Sequence, residues 1–388
     1  MKDEHFALFP GATCNNQMTG KNTICLRVSA DTLTLPQAQA ALAQAAEVLH
    51  AGGTVAFPTE TVYGLGANAL DPVAVESIFL AKQRPAWDPL IVHVADRAML
   101  EQVAVRVPRR IESGAGQVRA DQLVGKLIAK FWPGPLTLLL PRQPVIPAIV
   151  TAGRALVGVR MPAHPVALAL IAAARVPIAA PSANRFGHTS PTTADHVLED
   201  LDGRIDLVLD AGPAWCGVES TVLEVSEQGI ILYRPGAISV EEIEAVVGPV
   251  ALYQPPSTSV TTPPESLPSP GVDMRHYAPR ARVFPVELAA DTEAKLHTQW
   301  LQTVVEKSQP WVTVGIMLPT GWPLPADFSG VCYHWGSWGN DRQLAQRLFA
   351  GLRSLDAMGA EIIVCPLPPV LGMGTAIRDR LLKAARSG

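Results

Sequence analysis

Scarcity narrows this sequence before any motif does. Five cysteines (Cys14, Cys25, Cys216, Cys332, Cys365) are scattered through 388 residues. They are odd in number and form no C-x-x-C, which argues against a disulfide scaffold and against a zinc ribbon. Charged residues make up only 17% and the net charge is −4. A polybasic coat is therefore excluded, and any nucleic-acid contact has to be a local patch. The longest apolar run, 166–174, falls far short of the roughly 18 residues that a membrane span needs. Residues 1–22 are polar and contain no apolar stretch of the kind a signal peptide carries. These absences lead us to expect a soluble, cytoplasmic protein of a reducing compartment, with no membrane partner.

Hydrophobic residues, by contrast, reach 48%, enough to build a core and to exclude disorder of the whole chain. The length suits two or three domains. Proline is the excess: 35 residues, more than Phe (9), Tyr (5) and Trp (8) combined. Six of those prolines fall within the 17 residues 254–270, QPPSTSVTTPPESLPSP, beside a single charge. That composition favours extended, unpacked chain and marks a linker. The expected organisation is an N-terminal extension at 1–22, a large domain at 23–250, a Pro-rich linker or lid at 251–280, and a small α/β domain at 281–388.

Within the large domain, helix and strand signals alternate. Thr34 with Gln37 reads as a capping box opening a helix over 35–51, and Gly52-Gly53 closes it. Asp71 followed by Pro72 reads as an N-cap with proline at the first helical position, starting a helix to Lys82. Ser239 with Glu242 reads as a second capping box, before a helix over 240–247. Helices are also expected over 164–174 and 194–201. Short strands are expected at 54–57, 90–94, 136–140, 156–160, 177–180, 207–209, 221–225 and 230–233. Strands outnumber helices and cluster, so the fold class expected is α+β, a twisted open sheet with flanking helices. The C-terminal part reads strand (312–317), strand (331–333), helix (342–357), strand (361–365), helix (375–385), with parallel-sheet character.

Three phosphate-loop look-alikes fail on context. Gly64-Leu-Gly66-Ala-Asn-Ala69 matches G-x-G-x-x-A, but it begins seven positions after Phe57, the end of the preceding strand, and the helix waits until Pro72. Gly20-Lys21 and Gly125-Lys126 lack the upstream glycine and the following Ser or Thr. Four other loops concentrate anion-holding residues: 58–66 with Thr61 and its glycines, read as flexible; Lys82-Gln-Arg84-Pro; Val159-Arg160-Met-Pro162; and Pro181-Ser182-Ala-Asn184, with Thr192 beyond. Ser220 and Arg234 add two more pieces. Guanidinium groups suit phosphates and carboxylates because they donate in a planar fork. No nucleophile–His pairing and no zinc-like cluster is evident. An electropositive pocket of this kind works by positioning and electrostatics, as phosphoryl and nucleotidyl transfer require.

Pro58-Thr-Glu-Thr-Val-Tyr-Gly-Leu, the Lys82-x-Arg84 and Ser182-x-Asn184 pairs, Phe131-Trp-Pro-Gly-Pro-Leu-Thr137 and Ser220-Thr-Val resemble the YrdC-type domain. With the linker element Pro268-Ser-Pro-Gly-Val-Asp-Met-Arg-His276-Tyr277-Ala-Pro279, the chain from about Thr23 to Ala385 resembles the two-domain L-threonylcarbamoyladenylate synthases. The resemblance implies ATP-dependent synthesis of threonylcarbamoyl-AMP from L-threonine and bicarbonate or CO2. Pyrophosphate is released, Mg2+ accompanies ATP, and the product goes to the tRNA threonylcarbamoyl-transferase machinery. It implies a YrdC-like sheet around a large cavity and a small Rossmann-like C-terminal domain. Lys82, Arg84, Ser182 and Asn184 would be catalytic. Thr61, His93, Arg160, Ser182 and Ser220 would hold threonine. Lys82, Arg84, Asp88, Leu156, Asn184, Thr192, Arg234 and Tyr277 would line the nucleotide, and no protein side chain is assigned to a metal.

Asp88 stands where the family usually has Asn, and a carboxylate beside a triphosphate repels it unless Mg2+ intervenes. Leu156 replaces a usual Thr, harmlessly if only its backbone binds. Two rival readings remain open at this point. A carbamoyl-adenylate-forming O-carbamoyltransferase uses a related domain, but its usual companion modules are absent. An RNA-binding module, taking tRNA or double-stranded RNA, would rest on Arg106, Arg109, Arg110, Arg119, Lys126 and Lys130; a solvated helix face is the simpler account.

Overall fold

Strand signals scattered over some 230 residues resolve into one mixed sheet. The computed structural model describes residues 20–105, 110–113, 116–226, 229–254, 266–269, 271, 277–288, 292–308 and 311–386. Among them, eleven strands lie in the spatial order Ile24–Arg27, Leu207–Asp210, Val55–Phe57, Gly64–Asn68, Ile178–Ala179, Ile91–His93, Leu156–Arg160, Leu136–Pro141, Thr221–Ser226, Gly229–Arg234 and Ala251–Leu252. Alternate side chains of each strand serve opposite faces. Val55, Phe57, Leu207 and Leu209 pack under helices Pro36–His50 and Pro165–Ala174. Ala56 and Val208 face the opposite way, toward Pro72–Lys82 and Ala194–Leu201. Both faces are covered, which is why these strands read as continuous apolar runs.

Two of the three expected caps form. Asp71 accepts hydrogen bonds from the N–H groups of Val73 (2.9 Å) and Ala74 (3.3 Å), with Pro72 at the first helical position. The same helix closes at Gln83 in the left-handed region (φ 55°), with the Arg84 N–H returning to Phe79 O. That tight stop turns the chain inward just where Lys82 and Arg84 sit. Ser239 and Glu242 make a reciprocal capping box. The expected Thr34/Gln37 box does not form: the helix starts at Pro36, and Leu35 precedes it with no side-chain cap. Ser29 instead caps the short turn Ala30–Thr32. Gly64–Asn68 is likewise a strand rather than a flexible loop. A Cβ on Gly66 would lie 2.6 Å from Ile178 Cγ2 and 2.7 Å from Phe57 Cε1, so this glycine serves close packing.

A second sheet, wholly parallel, orders Arg282–Val286, Ile362–Pro366, Val314–Pro319 and Val331–Gly336. Helix Glu293–Lys307 covers one face through Trp300 and Val304. Helices Asp341–Ala357 and Gly374–Ala385 cover the other. Its first strand escaped the sequence reading because Pro285 weakens the strand signal, and it lies at the edge, where proline is tolerated.

Of the expected N-terminal extension, residues 1–19 lie outside the described residues. Lys21 is anchored, its backbone N–H to Gly203 O and its ammonium to Asp206 at 2.8 Å. Most of the expected linker, and Arg275 and His276 with it, also lies outside them. No helix among the described residues is long and apolar enough to cross a membrane.

Candidate active site

Arg160 ends the strand Leu156–Arg160 near the middle of the large sheet, and three neighbours fix its guanidinium. Nε donates to Gly134 O (3.2 Å), Nη1 to the Thr61 hydroxyl (3.0 Å), and Nη2 pairs with Glu60 (2.7 Å). Thr61 also shares a 2.7 Å hydrogen bond with Thr59. His93 stands on the adjacent strand, edge-on to Phe57. Burial, and then the Arg160 charge, push its imidazole down to about 3, so it is neutral at ordinary pH. Its Nδ1 has no hydrogen-bond partner among the described residues, although the side chain lines a cavity. A neutral imidazole whose Nδ1 is unpaired there is a ready hydrogen-bonding group for a ligand.

Lys82 is fully buried and donates to the backbone oxygens of Ser182 (2.6 Å) and Asn184. Burial, with Arg84 close by, holds its ammonium well below the usual lysine range. Arg84 donates Nε to Asp88 O (3.1 Å) and Nη2 to Pro89 O (2.8 Å), and Nη2 also pairs with the Asp88 carboxylate (2.9 Å). The Asn184 amide donates to Arg185 O and His188 O, bracing its own loop. Across the cavity, Ser220 shares a 2.8 Å hydrogen bond with Thr137 and accepts one from Arg234 (3.1 Å).

Thr61, Arg84, His93, Arg160, Ser182, Ser220, Arg234 and Tyr277 line one cavity of about 60 Å³, with Glu219 and Gly271. Gly271 and Tyr277 of the linker form part of its wall. Lys82, Asp88, Leu156, Asn184 and Thr192 do not line it. Lys82 and Asn184 support the wall through the Ser182–Asn184 turn. Leu156 pairs with Pro141 at the far end of its strand, and Thr192 packs its hydroxyl against His196 (3.3 Å). A second cavity, of about 700 Å³, opens between residues 185–189, Asp200, Arg280 and Arg353, at the seam of the two sheets.

The expected electropositive character rests on Arg84, Arg160 and Arg234 in the wall, and buried carboxylates stand beside these cations. Glu60, Asp88 and Glu219 stand against Arg160, Arg84 and Arg380, so each of these arginines is balanced by a buried carboxylate. Asp88 in particular faces Arg84 and is fully buried. Tyr277 fits both readings of the linker. It lines the cavity, and its ring also stacks on Phe349 of the second domain at 5.7 Å.

The linear arrangement of these parts has counterparts. A family profile described as "Telomere recombination" matches residues 47–236, and one described as "Threonylcarbamoyl-AMP synthase, C-terminal domain" matches residues 238–386. The threonylcarbamoyl-AMP synthase of Pyrococcus abyssi is 41% identical over 342 residues, 88% of this chain and 93% of that one. The Bacillus subtilis enzyme of the same name is 41% identical over 347 residues, 89% of this chain and 92% of that one. This chain belongs to the threonylcarbamoyl-AMP synthase family. The solved structure of P. abyssi Sua5 complexed with L-threonine superposes with a TM-score of 0.81 at 37% identity, covering 94% of this chain and 98% of that one.

Sequence reading did not assign roles to Glu60, Glu219 or Arg380. Glu60 sits inside the Pro58-to-Leu65 motif and its partner Arg160 was among the cations already named, whereas Glu219 only adjoins the Ser220-Thr-Val motif. Arg380 lies 161 positions from Glu219 with no local signal. The donor set does not fit a protein-held Mg2+. The three carboxylates near the cavity are engaged by arginines, and no metal-holding cluster of His, Cys, Asp and Glu occurs among the described residues.

Proposed function

We propose that the protein makes L-threonylcarbamoyl-AMP from L-threonine, bicarbonate or CO2, and ATP, with release of pyrophosphate. The observation that carries this reading is the convergence of Thr61, Arg160, Ser182 and Ser220 on one cavity with Arg84 and Arg234, in a chain so similar to a relative solved with L-threonine. The fixed Arg160 fork, with the hydroxyls of Thr61 and Ser220, suits a carboxylate and a hydroxyl on one small molecule. The threonine nitrogen bonds to the carbon of CO2 and loses a proton, giving a carbamate. A carbamate oxygen then attacks the α-phosphorus of ATP; the bond to the bridging oxygen breaks, and pyrophosphate leaves with the electron pair. Arg84 and Arg234, held by backbone oxygens, need no reorganisation to offset the charge that develops. Lys82 fixes the Ser182–Asn184 turn.

Mg2+ would arrive on the ATP phosphates and not in a protein site. In this reading Tyr277, on the cavity wall, is part of a lid that shields the reactive anhydride from water. The parallel-sheet domain, read as Rossmann-like, would anchor that lid. In this reading residues 23–250 are catalytic, and the product serves a cytoplasmic machinery that transfers threonylcarbamoyl to tRNA. Of the arginines read as a tRNA-contacting patch, Arg119 is tied to Asp121 (2.7 Å), and Arg106 and Arg109 lie outside the described residues.

The test is incubation with ATP, L-threonine and bicarbonate, with mass detection of the adenylate and quantitation of pyrophosphate. Pyrophosphate that appears only when both threonine and bicarbonate are present is the expected result. Pyrophosphate independent of threonine would refute the reading.

A further inference from the structure

Helix Gly374–Ala385 belongs to the parallel-sheet domain, yet its Arg380 ends among residues of the large one. The side chain is fully buried. Nε donates to Glu219 Oε2 at 2.7 Å, Nη2 donates to Pro235 O at 3.0 Å, and the guanidinium lies 5.0 Å from the centre of the Tyr277 ring. The other Glu219 oxygen accepts from the Ser190 hydroxyl at 2.6 Å. One turn further on, Lys383 donates to Gly271 O at 2.7 Å. Glu219, Tyr277 and Gly271 all line the cavity. A single helix of the second domain therefore grips three parts of the wall.

Glu219 poses a problem for the proposed chemistry. Its carboxylate adjoins a space that has to accept a threonine carboxylate, a carbamate and a triphosphate, all anions. Burial opposes its charge, yet Arg380 and then Arg234 hold its carboxyl below the usual glutamate range, so the group stays ionised. An ionised carboxylate without a partner would repel every substrate.

We propose that Arg380 is a positioning residue of the adenylation site, supplied by the second domain. It cancels the Glu219 charge and fixes Glu219 and Tyr277 in the cavity wall. This inference rests on the function proposed above. It makes the parallel-sheet domain part of the active site and not only a support for the linker.

The test compares wild type, R380M, E219Q and R380M/E219Q in pyrophosphate release and adenylate formation, with melting temperatures measured alongside. Breaking a buried ion pair from one side leaves an uncompensated charge, so R380M should lose roughly a hundredfold in kcat/KM. Removing the opposing charge in R380M/E219Q should recover most of that loss, to within about tenfold of wild type. Should R380M fail to fold, R380Q and R380Q/E219Q keep a donor toward position 219 and carry the same comparison. An R380M variant that turns over like wild type would overturn the inference. So would a double variant as impaired as R380M, since the loss would then not come from the exposed Glu219 charge, and so would an R380M whose lost turnover is matched by lost folded protein at the assay temperature. Wild-type protein that forms no adenylate would refute the proposed function instead, and the two failures are distinct.

Discussion

Replacing Asp88 by Asn separates two effects of one ion pair. Arg84 Nη2 lies 2.9 Å from the Asp88 carboxylate, with the two side chains 3% and 0% exposed, so solvent hardly screens them. The guanidinium has two further anchors, the backbone oxygens of Asp88 and Pro89, and neither depends on the side chain at 88. Asp88→Asn should therefore leave Arg84 in place at the cavity wall with its charge no longer cancelled. A hydrogen bond to a charged group contributes about 1.5–3 kcal/mol and a neutral one about 1, so folding should lose about 0.5–2 kcal/mol. Scanning calorimetry should then show a melting temperature lower by a few degrees. Nucleotide binding should move the other way, because an uncancelled cation attracts phosphate more strongly. A gain of about 1 kcal/mol would lower the KM for ATP by roughly fivefold, read from pyrophosphate release against ATP concentration. A KM that rises while the protein still melts cooperatively would refute the reasoning; it would mean that the carboxylate itself serves the nucleotide.

Acid should destabilise the protein through His93, whose imidazole is pushed from 6.5 to about 3. Between those values the unfolded chain binds a proton that the folded chain refuses, so stability falls as pH drops from 6.5 toward 3, by about 4–5 kcal/mol at the bottom of that window. His93→Asn should flatten this limb in urea titrations at several pH values, and parallel curves for the two proteins would refute the assignment. Gly66→Ala should cost about 1–3 kcal/mol from overpacking against Phe57 and Ile178; an unchanged urea midpoint would show that the strands can separate at no cost. Tyr277→Ala removes both a wall of the cavity and a stacked ring, so turnover and melting temperature should fall together. Full turnover with a lowered melting temperature would reduce Tyr277 to interface packing.

The legible parts of this fold were those with short-range causes. Asp71-Pro72 and the Ser239/Glu242 box close hydrogen bonds within four residues, and both form. Thr34 and Gln37 have the same spacing but lose to Pro36, whose fixed φ starts the helix without them. Gly64 and Gly66 read as flexible loop glycines because a sequence shows flexibility and close packing by the same residue; at Gly66 only the neighbouring Phe57 and Ile178 distinguish the two. In the site, the cations were readable and their electrostatic setting was not. Asp88 lies four residues from Arg84, but Glu60 reaches Arg160 across a hundred positions and Glu219 reaches Arg380 across 161. Charge balance at that range follows from the tertiary fold.

The order of strands in the large sheet also sets a timetable for biosynthesis. Val55–Phe57 is buried on both faces, and one of its two flanks is Leu207–Asp210. Thr54, at the start of that strand, gives its N–H and hydroxyl to Asp206, 152 positions later. At about 5–20 residues per second, a ribosome delivers that partner roughly 8–30 s after Thr54. For all that time an apolar strand has an open edge, which is the condition under which chains pair with the wrong neighbour. The nascent protein should therefore engage holding chaperones while residues 55–207 are being made and release them once 207–210 has emerged. Slower translation within that interval should lower the soluble yield more than slower translation after it.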